Sequence, residues 1–259
     1  MMPSFFFAHG APSLVIEDHE YTEFLKKFAS TLPRKPKAIV IFSAHWEDRV
    51  QQVSQVSEHG TIYDFYGFPD EMYQMKYPAP GDASLSAQVL SLLNGAGIPS
   101  VPDTSRGLDH GSWAVLKLIY PDADIPVVAL SVNRYLSNKE QYEIGKALGE
   151  LREQDVLIIG SGGIVHNLRQ ISWGAGPESV DSWALEFDTW IQSRLEDWNL
   201  EELLQYRELA PHAERAVPTS EHFIPLLLAM GSGDSVHSAE LLHRSYQWGS
   251  LSLTAWKFN

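Results

Sequence analysis

Histidine is the residue type in this sequence that could carry metal chemistry, because imidazole is the commonest metal ligand in proteins. The chain contains ten histidines, and three of them follow short apolar runs of the kind that form buried strands. His9 follows such a run at residues 5–8, His45 ends a second run, and His166 follows a third run and a glycine turn. Ligands of open α/β sheets bind at the carboxyl ends of the strands. We therefore expect these histidines to meet at one edge of a sheet and to bind one divalent metal ion.

Two more histidines precede predicted helices. His110 lies in the loop Gly-Leu-Asp-His-Gly, and His222 lies in the segment Pro-Thr-Ser-Glu-His-Phe, in which Thr219 or Ser220 could cap the following helix. A single histidine of this kind is more often structural than functional. The prediction of a metal site therefore depends on several histidines converging.

The remaining histidines lack such a placement; they are His19, His59, His212, His237 and His243. We expect His19 and His59 to lie on the surface, in contact with solvent. His237 and His243 lie near the last predicted strands, where they could line a pocket.

The sequence gives little support to nucleophilic or nucleotide-dependent chemistry. Cysteine is absent, which excludes a thiolate metal site and a cysteine nucleophile. The turn Gly160-Ser161-Gly162-Gly163 does not match the Gly-x-Ser-x-Gly elbow of serine hydrolases. It also lacks the Lys-Ser/Thr pair of a phosphate-binding loop and the spacing of a dinucleotide fingerprint. We therefore expect neither a serine nucleophile nor a nucleotide cofactor.

Predicted strands and helices alternate along the chain, which is the pattern of an α/β fold. The predicted strands are apolar runs at residues 4–8, 38–43, 125–132 and 156–159, a half-buried or near-edge strand at 51–56, and a strand-rich end at 241–258. The predicted helices lie at about residues 18–30, 83–93, 112–118, 139–152 and 180–196. We expect a single domain over residues 1–259, with a central, largely parallel sheet and helices on both faces.

The segment at residues 61–81 fits neither periodicity and is rich in tyrosine and phenylalanine. A loop of this length inside a domain is usually functional or disordered, and so many aromatic residues argue against disorder. Two interpretations stay open: an aromatic flap packed on the surface, or one wall of a substrate pocket.

Composition excludes several classes of function. The formal net charge is −14, and no basic stripe that would bind nucleic acid is visible. No apolar stretch approaches the roughly 20 residues that span a bilayer, and the first residues do not have the pattern of a signal peptide. A cytoplasmic protein is expected, and its oligomeric state cannot be predicted from the sequence.

Five motifs occur in an order that resembles a known family. They are His9-Gly-Ala-Pro-Ser, Ser43-Ala-His45-Trp, Gly107-Leu-Asp-His110-Gly, Gly160-Ser-Gly-Gly-Ile-Val-His166-Asn and Pro218-Thr-Ser-Glu-His222-Phe-Ile-Pro-Leu. Together with the ending Tyr246-Gln-Trp-Gly-Ser-Leu-Ser-Leu, they resemble the class III extradiol ring-cleavage dioxygenases, in the branch similar to 4,5-DOPA extradiol dioxygenases. The resemblance extends over nearly the whole chain.

The resemblance implies a role for each histidine of these motifs. By analogy with the family, His9, His45 and His222 would be the metal ligands. His166 would be the acid–base histidine and could also serve as a fourth ligand. His110 would be a second pocket histidine that positions the substrate or a developing charge.

The same resemblance implies the reaction. It is the Fe(II)-dependent cleavage, by O₂, of the ring of a small aromatic diol, a DOPA-like catechol, to a semialdehyde. Because an all-histidine site also suits Zn²⁺, we expect zinc in the protein as purified and Fe(II) in the active form. Two alternatives stay open: a zinc-dependent hydrolase with Glu221 as its base, and a non-catalytic interaction protein on the same fold.

Overall fold

An eight-stranded mixed sheet runs through the computed structural model, which describes residues 1–176 and 178–259. Its strands are β1 (Ser4–Ala8), β2 (Ala38–Glu47), β3 (Gln51–Ser54), β4 (Ser100–Asp103), β5 (Val127–Val132), β6 (Val156–Gly162), β7 (Ala239–Gln247) and β8 (Leu251–Phe258). They lie in the order β4-β3-β5-β2-β6-β1-β8-β7. The four central strands β5, β2, β6 and β1 are parallel, and β8 pairs antiparallel with β1.

Helices cover both faces of this sheet. They are α1 (Glu20–Phe28), α2 (Ala83–Gly95), α3 (His110–Ile119), α4 (Asn138–Ala147), α5 (Ser182–Glu196), α6 (Leu200–Leu204), α7 (Tyr206–Leu209), α8 (Ala213–Ala216) and α9 (Ile224–Ser232). Alternate residues of the central strands pack against α1 and α3 on one face and against α2, α4, α5 and α9 on the other. Strands buried on both faces need apolar side chains at every position, which explains their uninterrupted apolar runs. The predicted α/β fold class is confirmed.

The pairing register of the strands determines which strand ends lie next to each other. In the parallel pairs, Ala8 of β1 lies opposite Gly162 of β6, and Ser43 of β2 lies opposite Ser161 of β6. The carboxyl ends of β1, β2 and β6 therefore lie side by side.

In the described part of the chain, no helix is both long and apolar enough to cross a membrane.

Several elements differ from the sequence-based predictions. The edge strand β4 and the helices α6 to α8 were not predicted, because they are short. The helix expected after His222, whose bounds the sequence did not define, is α9. The predicted helix at 112–118 begins two residues earlier, at His110, because the Asp109 side chain accepts a hydrogen bond from the Ser112 N–H and caps it. The predicted helix at 139–152 ends at Ala147 and continues as the 3₁₀ helix Gly149–Gln154.

Candidate metal centre

Five histidine side chains meet at the carboxyl edge of the central strands. His9 follows β1, His45 lies near the end of β2, and His166 follows β6. His110 is the first residue of α3, and His222 lies in the turn before α9. The structure therefore brings together every histidine that the sequence placed at the site.

The ring nitrogens of these histidines are close enough to share a metal ion. Nε2 of His45 lies 3.0 Å from Nε2 of His9 and 3.3 Å from Nε2 of His222. Nitrogen ligands lie about 2.0–2.1 Å from zinc, so neighbouring ligands of a tetrahedral site are roughly 3.4 Å apart. Two groups of three histidines each have their ligand atoms within 4.8 Å of one another: His9, His166 and His222 form one group, and His9, His45 and His110 form the other. The donor set fits a divalent metal ion.

Hydrogen bonds fix which ring nitrogen of two histidines faces the cluster. The Ser161 hydroxyl donates its proton to the Gly111 carbonyl, so it can only accept from Nδ1 of His9, 3.2 Å away. Nδ1 of His222 donates in the same way to the Glu221 carboxylate at 3.1 Å. Both rings therefore carry the proton on Nδ1 and present the unprotonated Nε2 to the cluster, as metal ligands require.

Burial keeps three histidines of the cluster uncharged. Burial, followed by the neighbouring imidazoles, lowers the pKa of His9 far below its ordinary value. Burial, with His110 and His222, lowers the pKa of His45 to about 2. The pKa of His166 is also strongly lowered, first by burial and then by His222. At neutral pH these imidazoles are uncharged, which is the form that binds metal.

Comparison with known proteins identifies the family. Residues 3–255 match the family model described as the catalytic LigB subunit of aromatic ring-opening dioxygenase. The chain belongs to the class III extradiol dioxygenases. This confirms the resemblance predicted from the five motifs, and the chain is an extradiol ring-opening dioxygenase.

Relatives of this extradiol dioxygenase cover almost its full length. A 4,5-DOPA dioxygenase extradiol of Beta vulgaris is 43% identical over 260 residues, which span 98% of this chain and 96% of the relative. A protein of the same name from Escherichia coli K12 is 38% identical over 255 residues, with 97% and 93% of the two chains covered. The crystal structure of an uncharacterized protein from Escherichia coli K12 superposes with a TM-score of 0.84 at 34% identity and covers both chains completely.

The aromatic loop at residues 61–81 of the dioxygenase lies beside the histidine cluster. The ring of Phe65 lies 6.1 Å from the ring of His110 and 6.3 Å from that of Trp113, measured between centroids. The loop also brings Asp64 within hydrogen-bond distance of His110. Of the two interpretations left open by the sequence, the position of the loop favours a wall of the site.

Polar residues around the cluster were not predicted as part of the site. The buried Asp109 accepts a hydrogen bond of 2.6 Å from Ser43, which precedes His45 by two residues. Arg106 donates to Asp109 and to the His45 carbonyl, both at 3.1 Å. Asp109 and Ser43 are sequence neighbours of the predicted histidines, and this adjacency was the only indication in the sequence.

Two expectations about individual residues were wrong. His59 was expected on the surface but is buried. The chain after β3 folds back over the sheet, and Nε2 of His59 donates to the Val127 carbonyl at 2.9 Å. Neither Thr219 nor Ser220 caps α9 through its side chain. The Thr219 hydroxyl donates instead to Glu221 at 2.7 Å, which helps to hold the carboxylate against His222.

The other histidines lie apart from the cluster and have structural partners. His19 is only partly buried and caps α1, with its ring accepting a hydrogen bond from the Thr22 N–H. His212 pairs with the exposed carboxylate of Glu186, and His237 pairs with the largely buried carboxylate of Asp234. His243 stacks on Phe24. These contacts explain the remaining histidines without a metal.

Gly111 makes room for the cluster. A Cβ atom at this position would lie 2.9 Å from Oγ of Ser43, 3.0 Å from Cδ2 of His45 and 3.2 Å from Nδ1 of His9. We expect Gly111→Ala to displace these side chains and to weaken zinc binding roughly 10–100-fold, as changes in the shell around metal ligands do. Competition titration of the purified protein with a zinc chelator measures the effect.

Gly95→Ala is the matched control for this substitution, because a Cβ at Gly95 meets no atom within 4 Å. Its zinc affinity should equal that of the unchanged protein. Equal affinities for both variants would contradict the assigned role of Gly111.

Proposed function

We propose that this enzyme is an Fe(II)-dependent extradiol dioxygenase that cleaves a DOPA-like catechol with O₂ to a semialdehyde. The observation that carries the proposal is the set of Nε2 atoms 3.0 and 3.3 Å apart at the carboxyl edge of the sheet. The names of the relatives, 4,5-DOPA dioxygenase extradiol, support the choice of substrate class.

In this proposal His9, His45 and His222 hold the metal. The hydrogen bonds from Nδ1 of His9 to Ser161 and from Nδ1 of His222 to Glu221 support this assignment, because they direct each Nε2 inward. Three protein ligands leave positions open for substrate. A bound Fe(II) ion would supply the redox chemistry by which O₂ reacts with an aromatic diol.

His166 is proposed as the acid–base residue. Its ring stacks on that of His222, with the centroids 3.6 Å apart and the planes 7° from parallel. Because burial keeps the imidazole neutral, it can accept a proton that a substrate hydroxyl gives up and return one when the ring opens. His110, whose ring lies 4.0 Å from that of His45 between centroids, is proposed to position the diol.

The two alternatives raised by the sequence receive no support. The Glu221 carboxylate, the candidate base of a zinc hydrolase, accepts hydrogen bonds from His222 and Thr219 and so serves to orient a histidine. A non-catalytic interaction protein would not need a cluster whose ring tautomers are fixed by hydrogen bonds. Both alternatives also disagree with the family.

Metal exchange tests the proposal. Zinc binds such sites more tightly than Fe(II), so protein purified in air should contain mainly zinc and consume little oxygen. Anaerobic exchange to Fe(II) should raise oxygen uptake with L-DOPA, because Zn²⁺ has no redox chemistry. The measurement is oxygen consumption, with absorbance of the ring-opened product, for both metal forms on a panel of L-DOPA, dopamine and catechol.

Two outcomes would contradict the proposal. A zinc form that consumes oxygen faster than the Fe(II) form would exclude the proposed iron dependence. Cleavage of esters or amides by the zinc form, without oxygen uptake by the iron form, would support the hydrolase instead.

A further inference from the structure

One carboxylate from the aromatic loop reaches into the histidine cluster. Oδ1 of Asp64 accepts a hydrogen bond from the backbone N–H of His110, and Oδ2 accepts one from Nδ1 of the same residue, both at 2.9 Å. Oδ2 also lies 3.6 Å from Nδ1 of His45. The rings of His45 and His110 are only 4.0 Å apart between centroids, so a single carboxylate faces both of them.

This contact determines the tautomer of His110. Oδ1 accepts from the backbone N–H of His110, and Oδ2 lies 2.9 Å from Nδ1 of its ring. A carboxylate at neutral pH can only accept hydrogen bonds, so Nδ1 of His110 carries the ring proton. Nε2, at the opposite side of the ring, then holds a lone pair that can accept a hydrogen bond from a hydroxyl group.

The loop around Asp64 is anchored independently of the carboxylate. The N–H of Ile62 donates to the Leu108 carbonyl at 2.8 Å, and the indole N–H of Trp113 donates to the Ile62 carbonyl at 3.0 Å. On the other side, the Tyr63 hydroxyl donates to the Met75 carbonyl at 2.6 Å. The position of the carboxylate is thus fixed before any ligand binds.

The close approach of two loops also contributes to this anchoring. A Cβ atom at Gly107 would lie 2.3 Å from the carbonyl oxygen of Gly60, so a larger residue would separate the aromatic loop from the segment that carries His110. Because Asp109 already caps α3 through Ser112, the α3 helix does not need Asp64 as its N-cap.

We propose that Asp64 is a positioning residue for the reaction: it holds His110 with Nε2 free to accept a hydrogen bond from the diol, and it orients the proposed metal ligand His45. The proposal deepens the proposed function and rests on it for the role of His110. It also makes the aromatic loop part of the metal centre, since the residue that orients two histidines belongs to that loop.

His166 differs from His110 in its surroundings. Among the described residues, no carboxylate lies within ion-pairing distance of the His166 ring. His110 and His166, the two histidines of the pocket that are not proposed as necessary ligands, therefore differ in whether a carboxylate contacts the ring. The carboxylate of Asp64 imposes one tautomer on His110, whereas no carboxylate among the described residues imposes one on His166.

Asp64→Asn tests the proposal. The amide oxygen of asparagine can still accept from the backbone N–H of His110. The amide NH₂ group then faces Nδ1 of His110 and cannot accept its proton, and the negative charge that faces His45 is lost. We expect zinc affinity of the purified protein to fall roughly 10–100-fold. We also expect kcat of the Fe(II) form to fall more than KM changes, with a melting temperature close to that of the unchanged protein.

Two controls separate positioning from a structural role. Asp70→Asn changes an exposed carboxylate of the same loop and should alter neither zinc affinity nor turnover. In a His110→Gln background, Asp64→Asn should cause little further loss of kcat, because residues that act through each other are not additive. Asp64→Glu, which restores the charge, should recover part of the zinc affinity.

The results distinguish this inference from the proposed function. An Asp64→Asn protein with unchanged zinc affinity and unchanged kcat, or one that loses only thermal stability, would overturn the positioning role. Full additivity with His110→Gln would overturn the route through His110. If the unchanged protein in its Fe(II) form does not oxidise a diol, the proposed function fails, but zinc titration still decides whether Asp64 orients His45.

Discussion

Replacing His45 by alanine should remove nearly all bound metal, from about one ion per chain to almost none, because a site with three protein ligands has no redundancy. His45 has the central position among the proposed ligands, with its Nε2 3.0 Å from that of His9 and 3.3 Å from that of His222. Metal content after desalting, measured by mass spectrometry against protein concentration, gives the result directly.

The control for this experiment is His19→Asn. Asparagine retains the ability to cap α1, and His19 lies outside the cluster, so its metal content should be unchanged. His59 would be a poor control, because its buried ring bonds to the Val127 carbonyl and its loss would disturb folding. Full stoichiometric metal in His45→Ala protein would remove His45 from the ligand set.

His166→Gln should retain the metal and still bind a catechol, but turnover should fall by roughly 10²–10⁴-fold, the usual cost of losing an acid–base group. Glutamine approximates the polarity of the imidazole and cannot transfer a proton at neutral pH. The loss should be present in kcat and in kcat/KM together, because the missing interaction belongs to the transition state. Metal content and single-turnover kinetics on one preparation test both statements.

A different result would assign His166 another role. The ring of His166 lies parallel to that of His222, and its ligand atom lies within 4.8 Å of those of His9 and His222. If His166 is a fourth ligand, the variant will lose metal as completely as His45→Ala. Normal metal content with a normal rate would exclude His166 from the mechanism.

The parts of the fold that the sequence predicted are those in which local pattern and burial agree. The strands β1, β2, β5 and β6 are continuous apolar runs because helices cover both of their faces. Since parallel strands share one carboxyl edge, the positions of His9, His45 and His166 after these runs were enough to predict that they converge.

The features of the fold and of the site that the sequence did not predict depend mostly on contacts between distant segments. Asp64 is 46 residues from His110, and nothing in the local pattern of an aromatic loop identifies the partner of its carboxylate. The burial of His59 likewise follows from a loop that returns over Val127. Edge strand β4 has no alternation of apolar and polar residues, because its side chains are exposed or only partly buried.

The position of β1 in the sheet determines when during folding the centre can form. Phe7 of β1 lies between Ser161 of β6 and Ala255 of β8, so the strand before His9 acquires its neighbours only from residues about 150 and 250 positions later. Pairing over such separations is slow, because the entropy of closing long loops is lost before the contacts form. A metal ion held by these histidines would therefore bind the assembled sheet and stabilise the native state by mass action.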